Sequence, residues 1–506
     1  MLRLNFKPIL QSTIWIALIT IVVKLLGYVE KLILAYYFGT SYQVDVYNIV
    51  VSIILGFFFL FREIAEPVFL NVFIKVKEQE GINNAWKFLN SSLRYVSCVA
   101  IVLSILILIF PHGVITMFAP GFDMQKKDLA IRFIQIAFPA VVFLSLTVLT
   151  NIALNGVKQF ALPALGDLVF KVVIVLSITL LYKYWNIYAA AFGIVVAACF
   201  KLMSHWLILF DKISFRKLSI RQNHGKEIWN LSWPLILGAT FSQVSSFADN
   251  IFVSFLKTGS ISALSYSRKL VELPVLIFPY VLSVVVFPYF SQFSVSNQKE
   301  KLSSVLSTSL AWIAIVFFPL SVFFYVFSVP VIDLVFGHGA FDRNSVLLTA
   351  LPFKWYASGL VFFAVETILV VFYFANGNIK FPVRVGILCV VEHILIIFLL
   401  IQSAGYIIIP IALVLSKATK VFVLLYKLDT IIPVNRRMSA IFVVKVLVAS
   451  AGLALSLVFL QSVIDMPATQ SFFKRLFALV MYFGVACSVY FTLLLLLGFK
   501  KKFLFG

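Results

Sequence analysis

The sequence predicts an all-α integral membrane protein of about fourteen transmembrane helices. Two observations predict it. First, the 506-residue chain is 62% hydrophobic and only 12% charged, whereas soluble domains sit near half apolar and a quarter charged. Second, its apolar runs are long and continuous. Backbone groups in lipid must pair internally, so such runs are helices; barrel strands would alternate apolar and polar residues.

In chain order the runs are 10–38, 45–74, 93–118, 129–155, 162–184, 187–210, 229–256, 262–292, 304–336, 346–374, 382–402, 405–427, 439–461 and 473–499, each read between polar breaks. The first follows a short basic stretch. It is too long for a signal-peptide core and has no small-residue cleavage site, so it reads as a retained span. The longest polar connections, 75–93 and 211–227, are too short to fold as an enzyme domain. Cys98, Cys199, Cys389 and Cys487 fall inside apolar runs without disulfide or metal-ligand spacing, which makes them packing residues. His112, His205, His224 and His338 read as loop or interfacial residues, again without zinc spacing.

Lys and Arg in the loops set the orientation. With the N-terminus inside, the cytoplasmic side gathers Arg3, Lys7, Lys75, Lys77, Lys87, Lys158, Lys212, Arg216, Lys217, Arg221, Lys226, Lys299, Lys301, Lys380, Arg436, Arg437 and Lys500 to Lys502. The other side carries chiefly Lys126, Lys127, Lys183, Lys257 and Arg343. This bias, about three to one, predicts that both termini are cytoplasmic. It also accounts for most of the net charge of +21. The excess therefore reflects topology and contact with anionic membrane lipids rather than nucleic acid.

Ionisable residues at membrane depth are costly and mark cavities or ion pairs. The first span holds Lys24, Glu30 and Lys31. The second holds Asp45, Arg62, Glu63 and Glu66. The seventh holds Asp249, and the eighth Arg268, Lys269 and Glu272. Arg62 and Glu66 are four apart and pair on one face, and the eighth span repeats that spacing. Asp167 and Lys171, one turn apart, read as a self-neutralising pair. A polar cavity with several fixed cations suits an anionic substrate such as a pyrophosphate. A second set, Glu366, Glu392, His393, Lys417, Thr419 and Lys420, reads either as ion pairing or as an ion-coupling site. Trp15, Glu30-Lys31 and Tyr47 recur at matching offsets as Trp233, Asp249-Asn250 and Tyr266, a faint repeat of the kind two-lobed transporters show. Pro139, Pro234, Pro274, Pro279, Pro288, Pro319 and Pro352 predict kinks.

Several ordered motifs make the chain resemble the MurJ/MviN family, the lipid II flippases of the MATE-like exporter superfamily. They are Lys24-Leu-Leu-Gly27, Phe38-Gly39, Asp45, Ala65-Glu66-Pro67-Val-Phe69, Ala119-Pro-Gly-Phe122, Leu154-Asn155 and Pro163-Ala164. Further on come Ser260, Tyr266-Ser-Arg-Lys-Leu-Val-Glu-Leu-Pro274, Phe336-Gly-His-Gly-Ala-Phe341, Tyr356-Ala-Ser-Gly-Leu360, Tyr373-Phe-Ala375 and Lys380-Phe-Pro382. The resemblance implies two six-helix lobes around a central cavity, 1–225 and 226–430, with two extra C-terminal helices in 431–506. It implies substrate binding by Lys24, Asp45, Arg62, Glu66, Lys269 and Glu272, to which the charges of the eighth span add Arg268, and ion coupling through Asp249, Glu392 and Thr419. Lys417 and Lys420 share the stretch of Thr419. A lysine could therefore neutralise Asp249 or Glu392 in place of a sodium ion, leaving protons or membrane potential as the drive. The chain departs from the family pattern at Lys24 and Lys269, where arginine is usual, and at Glu30, where an arginine is common.

The expected function is a monomeric flippase of the bacterial inner membrane, without cofactor or metal. It would move a polyprenyl-pyrophosphate-linked glycan lipid, lipid II for peptidoglycan synthesis, by alternating access. A flippase for another lipid-linked oligosaccharide, or a MATE-like exporter, is the same-class alternative. A membrane-embedded glycan polymerase or ligase would need a large external loop with catalytic side chains, which this chain lacks.

Overall fold

The computed structural model describes residues 6–213, 222–433, 436–463 and 472–498, without the side chains of 6–17, 222–224, 226, 227, 234, 237, 238, 241, 242 and 436–439. The expected cytoplasmic cations Arg3, Lys7, Arg216, Lys217, Arg221, Lys226, Arg436, Arg437 and Lys500 to Lys502 lie outside what is described. So do the side chains of Trp15, His224 and Pro234.

Among the described residues the secondary structure is helical. The first compact unit, Met1–Ser262, contains α1 (Phe6–Phe38), α2 (Tyr42–Glu80), α3 (Ile82–Ile109), α4 (Pro111–Phe118), α5 (Met124–Ala137), α6 (Ala140–Gly156), α7 (Ala161–Trp185), α8 (Tyr188–Leu209) and α9 (Gln222–Ser254). The second, Ala263–Gly506, contains most of α10 (Ser260–Val295) and then α11 (Lys299–Val326), α12 (Ser328–Phe336), α13 (Arg343–Ser358), α14 (Leu360–Ala375), α15 (Lys380–Ala404), α16 (Ile408–Tyr426), α17 (Arg436–Val463) and α18 (Phe472–Leu496). The expected lobe boundary at 225/226 falls in the first turns of α9, which packs on α2 and α4.

Each of the fourteen apolar runs falls on a helix or a broken helix. Nine stretches among the described residues are long and apolar enough to span a bilayer, or eleven if each of two bent pairs is one span. That criterion does not confirm fourteen. The chain is a multi-pass membrane protein.

Both bent pairs have a local cause. Between α5 and α6 the axis turns by 42° beside Pro139, as expected of a residue that cannot complete the helical ladder. The 45° break between α13 and α14 falls at Gly359, not at Pro352, which α13 accommodates. A side chain at Gly359 would collide with Val414 of α16. The glycine therefore permits close helix approach, the use small residues have in membrane interfaces. Gly56 does the same for α2 against Phe247 of α9.

Polar side chains also tie the first unit together. Asn250 of α9 donates to the Ser52 hydroxyl of α2, and the Gly121 amide donates to the Ser254 hydroxyl at 2.9 Å. In the second unit, Arg475 at the start of α18 pairs with Asp333 of α12 at 2.7 Å. Gly337 leaves the space that the Asp333 carboxylate occupies.

Candidate functional site

The two long helices that each begin after a tight turn carry the same device. On α2, Arg62 Nε lies 2.7 Å from Glu66 Oε1, with side chains 44% and 36% exposed. On α10, Arg268 Nε lies 3.0 Å from Glu272 Oε1, at 51% and 40%. One helical turn separates the partners, so the pairing needs no tertiary contact. Each glutamate takes one donor of a five-donor guanidinium and holds the side chain in place. Exposed ion pairs inside apolar helices have to face water, because hydrocarbon would not solvate them. A guanidinium so presented suits the oxygens of a phosphate. In the second unit the cation that engages Glu272 is Arg268. Lys269, the next residue, is half-buried, as is Lys24 on α1.

Asp45, expected among the substrate-binding residues, has a different role in this conformation. It is fully buried. Its Oδ2 accepts the Gly259 amide at 2.7 Å, and its Oδ1 accepts both the amide and the hydroxyl of Ser262 at 2.9 Å. The carboxylate thus caps the start of α10, meeting amides and the positive end of the helix dipole. Lys126 Nζ stands 3.6 Å from Oδ2. The lysine, expected as a loop cation, is instead buried within α5.

The expected Asp167–Lys171 pair is also replaced by tertiary pairings. Lys171 reaches Glu30 of α1 at 2.7 Å, and Asp167 pairs with Lys201 of α8 at the same distance. Glu30 accepts the Tyr47 hydroxyl on its other oxygen at 2.6 Å, and Lys31 donates to Asn48 at 2.6 Å. A pair one turn apart competes with cross-helix partners of similar worth, and α1 and α8 both pack along α7. Lys201 drew no attention in the sequence, although a lone lysine in the middle of an apolar run was a usable signal. His205, expected at an interface, is fully buried. Its Nδ1 lies 2.8 Å from the Thr150 hydroxyl, and its Nε2 abuts Gly166.

In the second unit the lysines of α16 choose a different acid from the one expected. Lys417 and Lys420 both grip Glu366 of α14, at 2.8 and 2.6 Å. The Lys420 head lies beside Gly386 of α15. Glu392 accepts the Thr419 hydroxyl at 2.9 Å. Of the expected coupling residues, the structure therefore joins Thr419 to Glu392 and assigns both lysines to Glu366. Asp249 lies half-buried on α9, in the first unit. Lys354 of α13, another cation missed in the sequence, sits 4.5 Å from the Tyr325 ring centroid, a cation–π contact.

A solved structure titled "Lipid II flippase MurJ, inward closed conformation" superposes with a TM-score of 0.79 at 23% identity, covering 95% of this chain and 99% of that one. An inward-facing multidrug resistance MATE family transporter of the MOP superfamily gives 0.69 at 12% identity, covering 81% and 94%. These likenesses establish the fold. In sequence, the chain is 27% identical to the probable lipid II flippase MurJ of Buchnera aphidicola subsp. Schizaphis graminum, over 97% of both chains. To the Haemophilus influenzae protein of the same description it is 26% identical, over 96% of this chain and 99% of that one. The profile of the family described as "Lipid II flippase MurJ" matches residues 34–479, nearly the whole chain, and the chain therefore belongs to the MurJ family.

Proposed function

We propose that this protein is a transporter and not an enzyme, and that it flips lipid II across the bacterial inner membrane by alternating access for peptidoglycan synthesis. The observation that carries the reading is the repeated hook, Arg62–Glu66 on α2 and Arg268–Glu272 on α10. A water-facing guanidinium inside an apolar helix suits a pyrophosphate whose chain is lipid and whose headgroup is sugar, and each unit carries one. Lys24 and Lys269 add point charges, and Glu66 and Glu272 hold the arginines in position. The loop-charge bias supports both termini being cytoplasmic. The transporting species is a monomer.

Coupling is carried by the second unit. An acid at membrane depth needs a cation, bound or built in. Lys417 and Lys420 supply it to Glu366, so transport is driven by membrane potential or protons rather than sodium. The decisive test is depletion in the native cell followed by identification of the lipid that accumulates. Lipid II should build up on the cytoplasmic side. Accumulation of a different polyprenyl-linked glycan would overturn the assignment of cargo. In reconstituted vesicles, replacing sodium by choline should leave flipping unchanged, and a steep loss would overturn the built-in cation.

A further inference from the structure

In the second unit, the start of α15 and the end of α16 meet and bring three cations to one place. Tyr373 of α14 marks the meeting point. Its buried ring lies 5.5 Å from Phe381 at the start of α15, and its hydroxyl donates to the Leu424 carbonyl near the end of α16 at 2.7 Å. Farther along the same two helices, Thr419 meets Glu392 and the Lys420 head lies beside Gly386. The pair is therefore antiparallel, and Lys380 at the start of α15 comes level with Lys427 just past α16. Arg384 stands one turn farther along α15, on the same face as Lys380. All three are exposed. Among the described residues none of them is in an ion pair.

The face of α15 that carries Lys380 and Arg384 continues with Ile387, Leu388 and Val391, at helical spacing. All of these are exposed, Leu388 at 69%. On α16 the neighbouring Phe422 is 61% exposed. In a membrane protein such apolar faces meet acyl chains. Cations that only set orientation can lie anywhere in a connecting loop, in water. Arg384 instead emerges from the apolar helix itself, so its stem lies along lipid and its head rises to the boundary. The anions gathered at that boundary are lipid phosphates. A guanidinium grips phosphate oxygens as a fork, and the two ammonium groups add point charges beside it.

We propose that Lys380, Arg384 and Lys427 hold the phosphodiester of one anionic phospholipid, whose acyl chain lies along Ile387, Leu388 and Val391. The lipid joins the start of α15 to the end of α16 and steadies the pair that carries Glu392, Lys417 and Lys420. This site is separate from the residues assigned to the cargo, and it rests on no step of transport.

Native mass spectrometry of the full-length protein in neutral detergent provides the test, with phosphatidylglycerol as the probe. The wild type should bind it more tightly than phosphatidylcholine. Each neutralised cation should weaken binding roughly fivefold, and Lys380→Gln/Arg384→Gln/Lys427→Gln together about a hundredfold. Arg384→Gln alone keeps the other two cations, so the result does not depend on the triple variant inserting correctly. Arg384→Lys should keep most of the affinity. Lys299→Gln/Lys301→Gln removes two cations from a different loop and should leave binding unchanged. Phosphatidylglycerol should also raise the melting temperature of the wild type and not that of the triple variant. Wild-type affinity in Arg384→Gln or in a folded triple variant would overturn the proposal, as would equal binding of the two lipids. An equal loss in Lys299→Gln/Lys301→Gln would reduce the site to general surface attraction. Displacement of phosphatidylglycerol by inorganic phosphate at matching concentration would make it a soluble-anion site and overturn the lipid assignment.

Discussion

Replacing Asp45 should unfasten the start of α10. The carboxylate accepts two backbone amides, Gly259 at 2.7 Å and Ser262 at 2.9 Å, together with the Ser262 hydroxyl, and it faces Lys126 at 3.6 Å, all in a site with no exposure. A hydrogen bond to a charged group is worth about 1.5–3 kcal/mol. Each amide that loses its acceptor in Asp45→Ala should therefore open more easily by that amount, about ten- to a hundredfold. Stranding the buried Lys126 charge adds to the cost, because a buried pair that loses one partner is strongly destabilised. Asp45→Asn retains one carbonyl acceptor and should fall between the two. Hydrogen–deuterium exchange in detergent reads the amides directly, since local opening sets their rate. Exchange at Gly259 and Ser262 should accelerate in Asp45→Ala, while the α7–α8 hairpin keeps its wild-type protection. Unchanged exchange at both amides would refute the capping role.

Four other substitutions test the same reasoning. Arg62→Ala and Arg268→Ala should each abolish flipping in vesicles while leaving a folded protein, because these exposed one-turn pairs hold little stability; normal flipping in both would remove the hooks from the site. Gly166→Ala should destabilise by about 1–3 kcal/mol, since the added methyl meets His205 Nε2. The Gly166→Ala/His205→Ala variant should recover part of that loss in a melting experiment, and a double variant no better than the single would count against the clash. Asp342 caps α13 by accepting the Ser345 amide at 2.8 Å. Hydrogen bonding by the Ser345 hydroxyl, and then by its amide, holds the Asp342 carboxyl below its ordinary 3.8. A depressed carboxyl contributes stability that is present above its unfolded value and lost as pH falls through the folded one. Asp342→Ala should therefore melt lower at neutral pH, by a cap's worth of about 1 kcal/mol. The gap between variant and wild type should close as pH drops below 3.8, and a gap that persists there would exclude the carboxylate as its source.

The order of the helices and the membrane character were legible in the sequence because the bilayer is a nearly uniform solvent. Run length and apolarity are properties of one stretch of chain, and no neighbour is needed to judge them. The same holds for Arg62–Glu66 and Arg268–Glu272, where the partner lies one turn away on the same helix. The order of motifs such as Ala119-Pro-Gly-Phe122 and Phe336-Gly-His-Gly-Ala-Phe341 carried the family. What the sequence by itself did not decide was every pairing across helices. Asp167 and Lys171 sit at ideal one-turn spacing, yet each turns to a different neighbour, Lys201 and Glu30. Asp45 caps a helix that starts more than two hundred residues later, and Lys417 and Lys420 settle on Glu366 rather than on the acids named beforehand. A charge in a low-dielectric interior takes the partner that packing brings within about 3 Å. Only the tertiary structure decides which helix faces which.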